Sequence, residues 1–139
     1  MKKLLHISES DLKKIQLDWG AVRTIEKGLT PRQWCIPGGS VINEGGAPDE
    51  SFNLPFFLAY AVLDKYLEKR LCPGKRVFLG TKMDWSRPLL DWLDYGSVNT
   101  GKESRNGIAH RAILLSKEDC QMYINAIEDE LRHWGAINA

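Results

Sequence analysis

Two long segments of the chain repeat apolar residues with the period of an α-helix, and each is bounded by helix start and stop signals. The first begins at Asn53, which can cap a helix, has Pro55 in its first turn and ends at Cys72-Pro73-Gly74. Because a helix with one apolar face is stable mainly when that face is buried, this segment predicts a core helix. Its apolar stripe comprises Phe56, Phe57, Tyr60, Leu63, Leu67 and Leu71.

The second long segment lies near the C-terminus of the sequence. Ser116, followed three residues later by Asp119, resembles a capping box with a shorter carboxylate, and Glu118 adds negative charge at the positive helix start. Gly135 is a candidate for the residue that ends the helix. The sequence therefore predicts a long final helix. Its expected buried stripe comprises Cys120, Tyr123, Ile124, Ile127, Leu131 and Trp134.

The N-terminal third combines one helical segment with a stretch rich in glycine and proline. From Ser8 to Lys27 apolar residues recur at roughly helical spacing, although Gly20 leaves open a division into two helices. The stretch 28–48 should lack regular helix because it contains many glycines and prolines. Within it, Trp34–Ile36 and Val41–Ile42 can pair as a small hairpin around two adjacent glycines. No phosphate-binding loop is expected here, since no GK[ST] sequence follows the glycines.

The middle of the chain is marked less clearly. The stretch Arg76–Met83 is ambiguous between helix and strand. Ser86 is expected to cap a short helix with Pro88 in its first turn and Gly96 at its end, followed by a polar link over 97–104. The side chains expected to pack inward from that helix are Leu89, Leu90, Trp92 and Leu93.

The predicted fold is all-α, a bundle of four to five helices with an irregular Gly/Pro-rich N-terminal loop. At 139 residues the chain is long enough for one domain spanning 1–139 with a sizeable core. The formal net charge of +1 gives no global electrostatic sign of a nucleic-acid binder, so phosphate recognition has to be local. Three cysteines without CxxC spacing and the lack of a membrane-length apolar run predict a cytoplasmic protein without a membrane partner.

The residues that carry chemistry lie just before the predicted final helix, at Arg105, Asn106 and His110. Arginine provides a permanent forked cation that matches phosphate oxygens. Histidine can take or give a proton near neutral pH. The asparagine amide can hold either neighbour through a hydrogen bond. We therefore interpret these three residues as a candidate site for chemistry on a phosphodiester.

The spacing of the three residues raises a geometric problem. On an uninterrupted α-helix, residues five positions apart point about 140° away from each other and lie about 7.5 Å apart along the axis. Arg105 and His110 would then not converge on one phosphate. Two solutions are open: a helix break at Gly107, or a symmetric dimer that brings two copies of the motif together.

A helical bundle with an R-N-x-x-x-H stretch shortly before a long C-terminal helix resembles the HEPN family. The spelling RN-x-I-A-H is common in that family, and residues 105–110 match it. The resemblance covers about residues 53–135 and leaves the N-terminal segment 1–52 unaligned. One departure is visible, because some toxin branches carry a tyrosine two residues after the histidine, where this chain has Ala112. Regulation by nucleotidyl modification at that position is therefore not expected.

The resemblance implies a metal-independent endoribonuclease without a cofactor, in which two copies of the motif form the site at a homodimer interface. His110 would act as the base on a ribose 2′-hydroxyl or as the acid on the leaving oxygen, and Arg105 would stabilise charge on the phosphorane. Asn106 would hold the site or contact phosphate. Many relatives are toxins or phage-defence components under the control of a partner antitoxin. The basic residues Lys102 and Arg111 are candidate RNA-binding residues beside the motif.

Two alternatives remain open at this stage. A non-catalytic HEPN-like module could bind RNA, nucleotide or a protein partner through the same residues. A small helical adaptor in which the motif is accidental would be a monomer with Arg105 and His110 apart. The enzyme and the binding module are distinguished by the effect of His110→Ala on cleavage.

The other residues whose side chains could bind a metal or RNA or act in catalysis are expected mainly to have structural roles. Three aspartates invite a metal site, but no histidine joins them, and a solvated helix face is expected instead. The isolated histidines and the tryptophans are expected at the surface or in packing, and Cys120 in the core. A basic cluster is expected to be a helix surface, or else a guide for an RNA backbone. These residues are Asp84, Asp91 and Asp94; His6 and His133; Trp85, Trp92 and Trp134; and Lys65, Lys69, Arg70, Lys75 and Arg76.

Overall fold

The computed structural model describes residues 3–44, 46–71 and 76–138, and within them it confirms an all-α fold with five helices. A short 3-10 turn precedes the second helix, and one two-stranded hairpin interrupts the helical order. The described part of the chain contains no helix long and apolar enough to cross a membrane. The elements are α1 (Glu9–Leu29), β1 (Arg32–Cys35), β2 (Val41–Glu44), the 3-10 turn (Asp49–Phe52), α2 (Asn53–Leu71), α3 (Leu79–Ser86), α4 (Tyr95–Arg111) and α5 (Lys117–His133).

Helix α2 forms the centre of the bundle and packs against α1, α3 and α5. The predicted stripe of α2 is buried except for Phe57, which is half-buried. Phe56 and Tyr60 pack edge to face with ring centroids 5.3 Å apart, and both are fully buried. Burying a large apolar side chain contributes roughly 1.5–3 kcal/mol, so this helix supplies much of the driving force for folding. Its expected stop at Cys72-Pro73-Gly74 lies outside the described residues.

Helix α1 runs without interruption through Gly20, so the division left open by the sequence does not occur. Its N-terminus is capped by Ser8, whose hydroxyl accepts a hydrogen bond from the Asp11 backbone N–H at 3.1 Å. A polar contact ties α1 to α5, because Trp19 Nε1 and Arg23 Nε both donate to Glu128 Oε2, at 2.7 and 2.6 Å. This junction joins the first and last helices.

The final helix agrees closely with its prediction. Ser116 caps α5 by accepting a hydrogen bond from the Asp119 backbone N–H at 3.1 Å. Gly135 follows the helix with φ +75°, a conformation that favours glycine. Most of the expected stripe is buried, and Trp134 is half-buried against Trp92 with ring centroids 4.7 Å apart.

The prediction of a short helix that begins at Ser86 is wrong, because α3 ends at this residue. The Ser86 hydroxyl donates to the Met83 backbone oxygen at 2.7 Å and accepts from Trp92 Nε1 at 2.9 Å. The next helix, α4, starts later because Asp94 caps it, accepting a hydrogen bond from the Ser97 backbone N–H at 3.2 Å. Leu93, expected to pack inward, is 56% exposed.

Two further expectations fail at the same helix. Gly96 lies in the first turn of α4 and does not close a helix, and the expected polar link 97–104 is part of α4. The polar composition misleads because α4 buries only Val98, Gly101 and Ile108. A Cβ at Gly101 would overlap the Tyr60 hydroxyl oxygen and lie 2.7 Å from Tyr123 Cδ1. The absence of a side chain at Gly101 therefore lets this narrow face of α4 approach the core closely.

The Gly/Pro-rich stretch contains the expected hairpin, so it is not irregular throughout. The antiparallel strands β1 and β2 pair Trp34 with Ile42 and Cys35 with Val41. The turn between them contains Gly38 and Gly39, with φ +103° and +86°, which glycine adopts without strain. Trp34 and Val41 are about half exposed, at 49% and 50%.

Candidate functional site

Helix α4 carries the whole R-N-x-x-x-H motif on continuous helical backbone. Gly107 lies inside the helix, so the first of the two solutions left open by the sequence, a break at that residue, does not occur. The helix ends instead at Ala112, which adopts a left-handed conformation with φ +55° and donates its backbone N–H to the Ile108 oxygen at 2.9 Å. The motif therefore occupies the last two turns of α4.

Arg105, Asn106 and His110 nevertheless line one cavity of about 560 Å³ between α4 and α3. Asn106 and His110 are four positions apart and so lie on the same face of the helix. Arg105 and Asn106 are half-buried, and His110 is exposed. The structure thus brings the three sequence-predicted residues to one surface within a single chain. The other residues that line the cavity are Phe78, Leu79, Gly80, Thr81, Asp84 and Lys102.

The Arg105 side chain contacts the buried Tyr60 ring and the adjacent Asn106 side chain. Its Cζ lies 5.9 Å from the centroid of the Tyr60 ring, which is fully buried. Its Nη2 donates to Asn106 Oδ1 at 3.4 Å. A cation over an aromatic face is attracted by the negative centre of the ring. Burial raises the pKa of the Tyr60 phenol well above its usual value, so the ring stays neutral beneath the guanidinium.

The two candidate RNA-binding residues are separated by the fold. Lys102 lies one turn before the motif and lines the same cavity, with its side chain only 13% exposed and its Nζ 3.1 Å from Glu103 Oε1. Arg111 lines a different groove of about 340 Å³ on another face of α4, together with residues that include Ile113 and Leu115. Lys102 therefore joins the motif cavity, and Arg111 does not line it.

The opposite wall of the cavity is the first turn of α3, from Phe78 to Thr81. Phe78 occupies the N-cap position and makes no side-chain capping hydrogen bond. The first N–H groups of a helix have no partner within the helix, and this end carries partial positive charge. The turn was not predicted, because the sequence around it is ambiguous. Together with Lys102 and Arg105, it places positive charge on both walls of the cavity, which the Asp84 carboxylate also lines.

A buried ion pair holds α3 in place against α2. Lys82 Nζ lies 2.7 Å from Asp64 Oδ1 and 2.8 Å from Glu68 Oε2, and the Lys82 side chain is 7% exposed. Burial alone would lower the pKa of Lys82, but the two carboxylates outweigh it, so the pKa is raised and the ammonium stays charged. This contact positions the α3 wall relative to the core.

The three aspartates considered for a metal serve separate structural contacts, although all are exposed. Asp84 lines the cavity and accepts a hydrogen bond from the Tyr95 hydroxyl at 2.8 Å. Asp91 Oδ2 lies 2.9 Å from His133 Nε2, and Asp94 caps α4. Among residues 3–44, 46–71 and 76–138, no group of three or more His, Cys, Asp and Glu side chains could hold a metal ion.

The remaining candidates match their structural interpretations where they are described. Cys120 is fully buried, and burial raises the pKa of its thiol to about 12. His6 is exposed, whereas the tryptophans are partly buried. In the basic cluster, Lys65, Lys69 and Arg76 are exposed, and Arg70 is half-buried with its Cζ 6.0 Å from the Tyr66 ring centroid. Lys75 lies outside the described residues. The members of the tryptophan group are Trp85, Trp92 and Trp134.

Comparison with family models, with curated proteins and with solved structures finds no match to this chain. The site is therefore defined by its own geometry. It is an open cavity with cationic side chains on one wall and a helix N-terminus on the other, and the Asp84 carboxylate and the exposed His110 imidazole also line it. Such an arrangement suits an oxyanion that lies within reach of a proton-transfer group.

Proposed function

We propose that this protein is a metal-independent endoribonuclease of HEPN type that acts as a cytoplasmic homodimer. One observation carries the proposal: Arg105, Asn106 and His110 line a single open cavity. This placement is not a trivial result of sequence proximity, because Arg111 is adjacent to His110 and yet lines a different groove.

The charge of the cavity supports a phosphodiester as the ligand. Lys102 and Arg105 provide two permanent cations, and the Asn106 amide adds a neutral donor. The guanidinium is restrained by Tyr60, which lowers the entropy lost when it binds a phosphate. Aimed at the non-bridging oxygens, these donors stabilise the extra negative charge of a pentacoordinate phosphorane more than that of the ground state.

The cleavage step needs only proton transfer and charge stabilisation. The ribose 2′-oxygen forms a bond to phosphorus while its proton passes to the imidazole of His110. The bond from phosphorus to the 5′-oxygen breaks, and that oxygen takes a proton from an acid. The products are a 2′,3′-cyclic phosphate and a free 5′-hydroxyl. No metal or cofactor is required by this sequence of bond changes.

A second copy of the chain would supply the second proton-transfer group. His110 is exposed near the end of α4, and it is followed by Ile113 and Leu114, which are 61% and 49% exposed. Apolar residues beside an exposed motif suit a contact that removes them from water. Across a two-fold axis, two copies of His110 could divide the roles of base and acid, which one rigid helix cannot do alone.

The biological role that fits this activity is that of a toxin or phage-defence nuclease. An open cavity reached from solvent can be covered by a partner antitoxin, and the exposed Ile113 and Leu114, which follow α4, offer apolar surface for such a contact. Control by a tyrosine two residues after the histidine is not proposed, because Ala112 occupies that position and ends the helix.

The test is incubation of the purified protein with mixed RNA in EDTA, beside a His110→Ala variant shown by circular dichroism to be folded. Cleavage by the wild type alone, leaving 2′,3′-cyclic phosphate ends, would support the proposal. If the wild-type protein is a folded dimer that binds RNA without cutting it, the interpretation as a non-catalytic binding module replaces the enzyme interpretation. A monomer without affinity for RNA would overturn both.

A further inference from the structure

Phe78 has the highest exposure among the large apolar side chains in the described part of the chain, at 87%. It is not at a loose chain end, because its backbone oxygen accepts the first hydrogen bond of α3, from the Lys82 N–H at 3.1 Å. The side chain is therefore free in solvent while its backbone is held by a helix, which the Lys82 ion pair fastens to the core.

Local structure gives no reason for phenylalanine at this position. Phe78 is the N-cap of α3, where serine, threonine, aspartate and asparagine are preferred because their side chains accept a backbone N–H. Phe78 makes no such bond, and it contributes little to the core. An aromatic ring that neither caps its helix nor packs inward is suited to contact with something outside the chain.

The location of the ring indicates what that contact is. Phe78 lines the same cavity as Lys102, Arg105 and His110. Leu79 and Asp84 also line the cavity, but Lys102 and Arg105 provide two cations on the wall opposite the ring, so the ring stands beside the proposed phosphate site. Proteins that bind single-stranded nucleic acid combine these two elements, with a cationic groove for the backbone and aromatic rings on which bases stack.

We propose that Phe78 is a base-stacking platform, and that the substrate bound in this cavity is single-stranded RNA with an unpaired base beside the phosphate. This inference rests on the proposed function of the cavity and specifies its substrate class. In an A-form duplex the base faces are covered by their neighbours, so a ring at the protein surface cannot stack on them. The platform thereby selects unpaired over paired RNA.

Loss of one stacking contact lowers affinity by roughly ten- to hundredfold. We would measure this with single-stranded RNA that contains 2-aminopurine, because stacking on a base lowers its fluorescence. All proteins carry His110→Ala, so that binding is measured without cleavage. The variants are Phe78→Ala, Phe78→Trp and, as a matched control, Trp34→Ala, which removes an exposed aromatic side chain that does not line the cavity.

Support requires that Phe78→Ala weakens single-strand binding by about ten- to hundredfold and abolishes the fluorescence decrease. Phe78→Trp and Trp34→Ala should keep the single-strand affinity and the fluorescence decrease. The matching duplex should bind weakly to every variant. The inference is overturned if Phe78→Ala binds like its parent, if single strand and duplex bind equally, or if no RNA binds. It is also overturned if Phe78→Ala only dissociates the dimer, since a second copy would then be what covers the ring.

The two proposals can fail separately. If the fluorescence change depends on Phe78 but the wild-type protein never cleaves RNA, the nuclease proposal fails and the stacking proposal holds. If the protein cleaves RNA, and Phe78→Ala cleaves single-stranded and duplex RNA as fast as the wild type, the nuclease proposal holds and the stacking proposal fails.

Discussion

The side-chain amide of Asn53 forms two hydrogen bonds with the backbone of Leu115, which lies 62 residues away in the chain. Its Nδ2 donates to the Leu115 oxygen, and its Oδ1 accepts from the Leu115 N–H, both at 3.0 Å. The same Nδ2 also donates to the Glu50 oxygen at 2.9 Å. The residue expected to cap α2 thus fastens the connection between α4 and α5 to the centre of the bundle.

We expect Asn53→Ala to destabilise the protein by about 2–4 kcal/mol. The change leaves a donor and an acceptor of Leu115 without partners in a site where Asn53 is only 4% exposed, and each such group costs about 1–3 kcal/mol. Urea unfolding followed by circular dichroism measures the effect. The matched control is Asn125→Ala, an exposed asparagine, for which a change below about 1 kcal/mol is expected. Equal effects of the two variants would contradict the role assigned to Asn53.

Two glycines in α4 should respond oppositely to alanine. Gly101→Ala should cost about 1–3 kcal/mol, because the new methyl group overlaps Tyr60 and Tyr123 in a packed core. Gly107→Ala should raise stability by up to about 1 kcal/mol, since alanine favours the helix and its Cβ would meet only Arg111 Nη2, at 3.4 Å. Thermal and urea unfolding of both variants measure the difference. A stabilising effect of Gly101→Ala would show that α4 does not approach the core as closely as described.

The separation of Lys102 from Arg111 predicts unequal effects on RNA binding. Lys102→Ala removes a cation that lines the motif cavity and should lower affinity for single-stranded RNA by about tenfold, with a smaller dependence on salt. Arg111→Ala removes a cation from the other groove and should have a smaller effect. Fluorescence anisotropy at two salt concentrations, in proteins carrying His110→Ala, measures both. A larger loss with Arg111→Ala would place the RNA backbone on the opposite face of α4.

The junction between α1 and α5 predicts a pH-dependent contribution to stability. Burial disfavours the charged carboxylate of Glu128, but hydrogen bonds from Arg23 and Trp19 outweigh it and lower its pKa below the usual 4.5. A carboxylate with a lowered pKa in the folded state stabilises the fold above the unfolded-state pKa, and the contribution is lost as pH falls through the folded-state pKa. Glu128→Gln should therefore be less stable than the wild type at pH 7, with a difference that narrows below about pH 4.5.

Urea unfolding between pH 3 and pH 7 checks this prediction. Glu118→Gln is the matched control, because it changes an exposed carboxylate of the same helix, and it should alter stability by only about 0.5 kcal/mol across the range. A gap between Glu128→Gln and the wild type that widens toward acid pH would show that the contact does not favour the ionised carboxylate.

Sequence patterns predicted the elements whose structure depends on local signals. The stripe of α2, the Ser116 cap of α5 and the hairpin with its two glycines all agree with expectation. Helix α4 was missed because its buried face is narrow and centres on Gly101, whose close approach to Tyr60 is a tertiary property. Asn53 was misassigned for the same reason, since its partner is distant in sequence.

The residues of the candidate site were likewise predicted only in part. Arg105, Asn106 and His110 were identified from their residue types and spacing, and the structure places them on one cavity. Phe78 and the α3 turn were not identified, because the sequence around them is ambiguous between helix and strand. Only the fold reveals that this turn faces the motif.

The unbroken course of α4 limits how such a site can be switched off. Its candidate site residues are attached to one continuous helix, in which the eight steps from Lys102 to His110 rise about 12 Å along the axis. Moving the backbone of one of these residues relative to another would require breaking backbone hydrogen bonds of the helix. An inhibitor of the proposed nuclease would therefore have to block the cavity, shift the α3 wall, turn the side chains away or separate two copies, because the backbone of the motif is held by the helix.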